Sequence, residues 1–280
     1  MDIRFIHVED GTRVPVYWSP AQVPRATLLL QPALGIQARL YQRLAEGLSM
    51  RGCSTAVMEQ RGHGLSELKP GYRDQYAFTE SLEQDIPAVM RWLNEQAPEA
   101  PRLIGGHSLG GHLSTLYTGQ HPDQVQGVVH LACAFPFIGD YTGKQQRMLR
   151  LLCALIPLFA FFPGYYPGQL IGFGEKESVA MMKQWRQWAV TGTFDFAEHT
   201  GLADTLADYT GPVLSVTFDK DHFSTAAAVE RALAPFCHAS IETRHLGESE
   251  QGRHLGHTGW AKQPDGVVNA IDGWLNRALR

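Results

Sequence analysis

The chain has 280 residues, 44% hydrophobic and 19% charged, with a formal net charge of −4. Such a composition excludes global disorder, and with no long run of either sign it offers no obvious surface for nucleic acid or an anionic membrane. The length suits one large domain, or one domain with a sizeable insertion. The cysteines Cys53, Cys133, Cys153 and Cys237 are far apart and form no CxxC pair, so neither a zinc site nor a disulfide framework is expected. Cys53 and Cys133 lie in strand-like runs and read as small buried apolar residues. Met1-Asp2-Ile3-Arg4-Phe5 is not a basic start followed by an apolar core, so no signal peptide is read and the expected location is cytoplasmic.

In chain order, residues 3–8 and 13–18 read as two extended segments joined at Asp10-Gly11, a hairpin turn signal. Ala26 to Leu30 is a continuous apolar run, as expected of a strand buried on both faces. The loop Gln31-Pro32-Ala33-Leu34-Gly35 follows. Arg39 to Met50 reads as a helix with Leu40, Leu44 and Leu48 on one face, closed by Gly52. Ser54 to Met58 is the next strand, and Arg61-Gly62-His63-Gly64-Leu65-Ser66 a tight glycine loop. Glu80 to Glu95 reads as a helix that Pro87 separates or kinks near its start.

Arg102 to Gly105 is a short buried strand. The pattern Gly106-His107-Ser108-Leu109-Gly110 then leads into a helix over 109–120, with Leu113, Leu116 and Tyr117 at helical spacing. Gly119 and His121-Pro122 are read as its end. G-x-S-x-G between a strand and a helix describes a sharp turn that lifts a serine hydroxyl clear of the sheet, with glycines where side chains would collide with the neighbouring strand and helix. Val125 to Leu131 is another strand. The alternation from residue 26 to residue 131 predicts a mostly parallel sheet with helices on both faces.

That rhythm breaks between about 135 and 207. Met148 to Phe162 is almost wholly apolar, yet too short and too interrupted by Arg150 and Pro157 to span a bilayer. Met181 to Val190 reads as a helix with Trp185 and Trp188. The segment is expected to be a helical cap, residues 135–207, inserted into an α/β body formed by 1–134 and 208–280. Its apolar residues are expected to pack the cap onto the body or to line a lipophilic pocket; membrane contact is the remaining alternative. Alternation then resumes: a strand over 213–218, a helix over 226–233, a strand over 240–246, a polar loop over 247–256, and a terminal helix over 264–279.

A serine becomes a nucleophile only with a base beside it and an acid orienting that base. On such a sheet the partners follow later strands in the order serine, acid, histidine. Asp219-Lys220-Asp221-His222-Phe223 follows the strand ending at Phe218; Asp221 is preferred, because Asp219 sits closer to the strand end and reads as a turn former, and Asp219 is the alternative. His257, between glycines and before the last helix, is preferred over His254; His245 falls inside a strand. For the oxyanion, Leu109 supplies one backbone N–H, and the loop after 26–30 supplies the other, from Ala33 or Leu34; Ala33 is preferred, and Pro32 has no N–H. His107 reads as a packing or hydrogen-bonding residue.

The elbow Gly106-His107-Ser108-Leu109-Gly110-Gly111 and the loop Arg61-Gly62-His63-Gly64-Leu65-Ser66 resemble the α/β-hydrolase superfamily over nearly the whole chain. Gly164-Tyr165-Tyr166-Pro167-Gly168, Trp185-Arg186-Gln187-Trp188 and Leu255-Gly256-His257 are similar to its serine-aminopeptidase and monoacylglycerol-lipase-like hydrolases. The resemblance implies nucleophile Ser108, acid Asp221, base His257 and no cofactor or metal. Two departures stand out: Gln31-Pro32 where many relatives have His-Gly, and Glu59-Gln60 where an aspartate-containing pair is common. The leading expectation is hydrolysis of an ester or thioester carrying a lipophilic group. Acyl transfer on the same triad, amine-directed peptide cleavage using Glu175, Glu177 or Glu198, and a non-catalytic ligand-binding fold remain open; the oligomeric state is not legible.

Overall fold

A computed structural model describes residues 1–279 apart from 160, 163, 172, 173 and 198, with the backbone alone of Ile171. The strands are β1 (Asp2–His7), β2 (Arg13–Ser19), β3 (Ala26–Gln31), β4 (Cys53–Met58), β5 (Arg102–His107), β6 (Gly127–Leu131), β7 (Tyr166–Pro167), β8 (Lys176–Glu177), β9 (Pro212–Phe218) and β10 (Ser240–Leu246). The α-helices are α1 (Gln42–Met50), α2 (Phe78–Glu80), α3 (Ile86–Gln96), α4 (Leu109–Gln120), α5 (Gly143–Phe159), α6 (Gly168–Ile171), α7 (Val179–Thr191), α8 (Ala226–Leu233), α9 (Glu248–Gln251) and α10 (Asp265–Ala278).

Eight strands form one sheet in the order β1-β2-β4-β3-β5-β6-β9-β10. Both pairings of β2 are antiparallel; every pairing from β4 to β10 is parallel. This is the α/β-hydrolase arrangement. The apolar runs of β3 and β4 are buried along their whole length, as a sheet covered on both faces requires. One face packs against α1 and α10 through Leu44, Leu48, Ile271 and Trp274. The other packs against α3, α4 and α8 through Leu93, Leu113, Leu116 and Ala228, and its core runs on into the segment between β6 and β9. From β3 the chain moves to β4 on one side and, later, to β5 on the other. The loops leaving β3 and β5 therefore diverge and open a crevice at the strands' carboxyl ends.

Several local expectations are revised. The helix expected from Arg39 begins as a 3-10 turn, Ala38–Tyr41, and becomes α-helical only at Gln42, so Leu40 is only partly buried. Pro87 does divide its helix: a π-turn, Ser81–Asp85, lies between α2 and α3, and Pro87 is the second residue of α3, just after this widened turn. Gly119 does not end α4. It is buried inside the helix because a side chain there would meet Thr205 and Leu206, and His121 is the C-cap. The loop after β10 contains the short helix α9, where the Glu250 carboxylate accepts the Gly247 N–H. β10 has no buried face: it is an edge strand, and of its residues only Leu246 is buried.

Between β6 and β9 the chain builds α5 and α7, which pack on each other, and the two-stranded β7–β8 pairing. On α5, Leu149, Leu152, Cys153 and Ile156 face inward, while Leu151 and Leu158 are about 60% exposed, at 62% and 60%. The apolar run therefore divides between core and surface. Among the described residues no helix is long and apolar enough to cross a membrane. All four cysteines are free, and only Cys237 is exposed.

Candidate active site

Ser108 stands between β5 and α4 with φ 52° and ψ −115°, a conformation that costs an L-residue on the order of 1–3 kcal/mol. The surrounding backbone holds it there. Ser108 N–H donates to Leu131 O at 3.0 Å, and Gly111 N–H donates to Ser108 O at 2.9 Å. The flanking glycines answer to close approach: a Cβ on Gly110 would run into the Gln31 carbonyl, and one on Gly106 would lie 2.7 Å from the same oxygen. Here β3, β5 and α4 touch backbone to backbone. The unusual Gln31 strengthens this contact, donating from Nε2 to Ser114 Oγ at 2.8 Å and so tying β3 to α4.

Asp221 and His257 come together from loops after β9 and β10. His257 Nδ1 lies 2.9 Å from Asp221 Oδ2. Asp221 also accepts the Phe223 N–H on Oδ1 (2.9 Å) and the Ser224 hydroxyl on Oδ2 (2.6 Å). Burial alone would raise this carboxyl. The bond and charge of His257, then the Ser224 hydroxyl and the Phe223 amide, outweigh burial and hold Asp221 below its ordinary value. An ionised Asp221 places the proton on Nδ1 of His257 and leaves the Nε2 lone pair free. The alternative acid, Asp219, is engaged elsewhere: its Oδ1 is 2.7 Å from His245 Nε2, and His245 Nδ1 is 2.8 Å from Thr217 Oγ1, all at the exposed sheet edge.

Ser108, His257 and Leu109 line a common cavity of about 220 Å³, walled by Leu34, Ile36, Leu149, Trp185 and other mostly apolar groups. Among the described residues none that lines it is Asp, Glu, Lys or Arg, and His254 does not line it. His112 does. Burial pushes its imidazole down to about 4, and with Nε2 3.1 Å from Ala134 O it is a neutral donor there. Among the described residues no group of His, Cys, Asp and Glu is arranged to hold a metal ion.

Of the expected oxyanion donors, Leu109 is the first residue of α4, where an N–H has no intrahelical partner. Ala33 also lines the cavity, and its N–H donates to Tyr41 Oη at 3.1 Å. Tyr41 Oη also lies 2.7 Å from His107 Nδ1. A backbone N–H can only donate, so Tyr41 accepts from Ala33 and gives its own hydrogen to His107, whose remaining hydrogen is then on Nε2. Burial, then the neighbouring His257, pushes the His107 imidazole well down; it is neutral and packs 4.9 Å from the His257 ring. Sequence reading missed Tyr41 and Ser224, whose side chains reach the site only through the fold.

The open parallel sheet, the strained serine at its switch point and the acid–histidine pair on later loops define the class, an α/β-hydrolase fold. A family model described as serine aminopeptidase, S33, matches residues 22–184, more than half of the chain, and the chain belongs to that family. Monoglyceride lipase of Rattus norvegicus is 26% identical over 113 residues, 40% of this chain and 36% of that protein. Monoacylglycerol lipase of Mycolicibacterium smegmatis is 29% identical over 122 residues, 42% of each chain. The chain thus matches well under half the length of these curated relatives. Among solved structures, a soluble variant of monoglyceride lipase from Saccharomyces cerevisiae with a substrate analogue covers 99% of this chain and 96% of its own, at a TM-score of 0.71 and 15% identity. The thioesterase domain from the curacin biosynthetic pathway covers 99% of both chains at a TM-score of 0.61 and 15% identity. At such identity these two likenesses concern the fold.

Proposed function

We propose that the protein is a serine hydrolase of uncharged esters or thioesters bearing a lipophilic group. The observation that carries this reading is the 2.9 Å pairing of His257 with buried Asp221 on the same cavity as the strained Ser108. His257 takes the proton from Ser108 Oγ as that oxygen bonds to the substrate carbonyl carbon. Asp221 holds the imidazole in the required tautomer and stabilises the imidazolium. The oxyanion is received by the N–H of Leu109 and, since Ala33 is engaged by Tyr41, by that of Leu34, which borders the cavity. The tetrahedral intermediate collapses as His257 returns the proton to the leaving alcohol or thiol. Water, activated by the same imidazole, then releases the acid. Residues 135–207 serve as the cap, supplying Leu149 and Trp185 to the apolar wall.

Peptide cleavage directed by a substrate amine is disfavoured by a lining that has no Asp or Glu among the described residues. Glu175 accepts from Gln37 at 2.8 Å, Glu177 is buried outside the cavity, and Glu198 lies outside the described residues. The deciding experiment is labelling with a fluorophosphonate, comparing wild type with Ser108→Ala. Labelling that disappears in the variant supports an activated Ser108; equal labelling of both, or none of folded wild type, overturns it.

A further inference from the structure

The loop 32–38 that leaves β3 is held by side chains from two separate parts of the chain. Gln60 Nε2 donates to Pro32 O at 2.9 Å, and Glu59 Oε1 accepts the Ala38 N–H at 2.8 Å. Glu177, on β8 of the inserted segment, accepts the Gly35 N–H on Oε1 at 3.1 Å. Both departures at 59–60 therefore act on this loop. The backbones of loop and insert also touch. Glu175 N–H donates to Gly35 O at 3.0 Å, and a Cβ on Gly35 would lie 2.6 Å from Glu175 N. Gly35 and Gly174 both have positive φ, at +69° and +75°. The two chains meet where neither can carry a side chain.

Glu177 is an unusual group to bury for packing alone. Its side chain is 1% exposed and faces His63 of the glycine loop, 0% exposed, with Nε2 3.2 Å from Glu177 Oε1; burial raises the Glu177 carboxyl above its ordinary value. His63 Nδ1 donates to Arg61 O at 3.1 Å, which fixes that ring in turn. A desolvated carboxylate is costly unless its bonds are worth more than hydration. Here its Oε1 bond runs to Gly35, the residue adjoining Leu34.

We propose that Glu177 is a positioning residue for catalysis: carried in by the inserted segment and backed by His63, it sets the loop whose Leu34 N–H completes the oxyanion hole. The cap is then part of the catalytic apparatus as well as a cover, because its docking shapes the loop. The catalytic half of this proposal rests on the hydrolase reading above; the loop half does not.

The test uses Glu177→Ala, Glu177→Asp and Glu177→Gln in the full chain. Aspartate keeps a carboxyl group but falls short of Gly35. Glutamine keeps the reach and an acceptor oxygen but cannot ionise. With p-nitrophenyl butyrate, and rates taken per active site titrated by fluorophosphonate, Ala and Asp lower kcat roughly 10–100-fold with KM changed less than about threefold, the scale of a displaced oxyanion donor. Gln stays within about threefold of wild type. Amide hydrogen exchange in the peptide covering 32–38 quickens in Ala and Asp and not in Gln. Unchanged exchange in Ala and Asp overturns the proposal, whatever the rates. Faster exchange with unchanged kcat overturns its catalytic half. A lower melting temperature alone, with kcat and exchange unmoved, reduces Glu177 to a structural residue. If wild type hydrolyses no ester, the hydrolase reading fails by itself, and the exchange experiment still decides whether Glu177 sets the loop.

Discussion

Around Ser108 the backbones of β3, β5 and α4 are in contact, every residue of α4 from Leu109 to Gly119 is buried, and no flanking glycine can take a side chain. Between β6 and β9 the chain is looser. Its helices bury one stripe each, and Leu158, Phe161, Phe162 and Leu170 stand 60%, 83%, 82% and 85% exposed. Close backbone contact lies where the strained Ser108 is held against relaxation, and exposed apolar surface lies on the insert that walls the cavity. The exception within the insert is β8, which is pinned to the loop 32–38, and that contact links the two regions.

The comparison is broken most severely by chemistry at the rigid side. Ser108→Ala is expected to lower kcat for an activated ester by at least about 10³-fold with the fold intact by circular dichroism, since removing a triad serine leaves only binding and the oxyanion hole. Asp221→Asn comes next. It is expected to lower kcat up to about 10⁴-fold through the wrong histidine tautomer, while Asp219→Asn stays within about twofold in the same assay. Gly110→Ala tests the backbone contact itself. Its Cβ meets the Gln31 carbonyl, which cannot move aside as a flexible side chain could, so a loss of about 3 kcal/mol or more is expected in urea unfolding.

A smaller effect follows from buried histidines. Burial pushes His112 down to about 4 and His130 to about 3, from an ordinary 6.5. Below pH 6.5 the unfolded chain takes up protons that the folded one refuses, so stability falls as pH falls, through the window from 6.5 down to those values. Each such histidine is expected to remove on the order of 1–2 kcal/mol between about pH 7 and pH 5. Urea midpoints at the two pH values check this, and His130→Gln should flatten the difference. If the variant keeps the full wild-type slope, His130 is not the source. The mildest test contrasts two faces of α5: Leu152→Ala should cost about 2–5 kcal/mol, and Leu158→Ala no more than about 0.5 kcal/mol. Equal costs would remove the distinction between its inner and outer faces.

Much was legible in the sequence because it is local. An apolar run of strand length, a helical stripe and a G-x-S-x-G turn each carry their signal within about a dozen residues, so the alternation, the elbow and α4 followed directly from the chain. The order serine, acid, histidine was an expectation of the same kind, drawn from the order of the strands. What only tertiary structure shows is how near neighbours are engaged. Asp219 and Asp221 are two residues apart, and it is the pairing of β9 with β10 that places His245 against the first and leaves the second to meet His257. Ala33 and Leu34 are adjacent, and Tyr41, eight residues on, engages one N–H of the pair. The bond from Glu177 to Gly35 spans 142 residues and leaves no periodicity to read, since a single hydrogen bond between distant segments exists only once both have packed. Composition and spacing determined which elements form and which residue types the site draws on; which of them touch was decided when the sheet brought the loops at its carboxyl edge together.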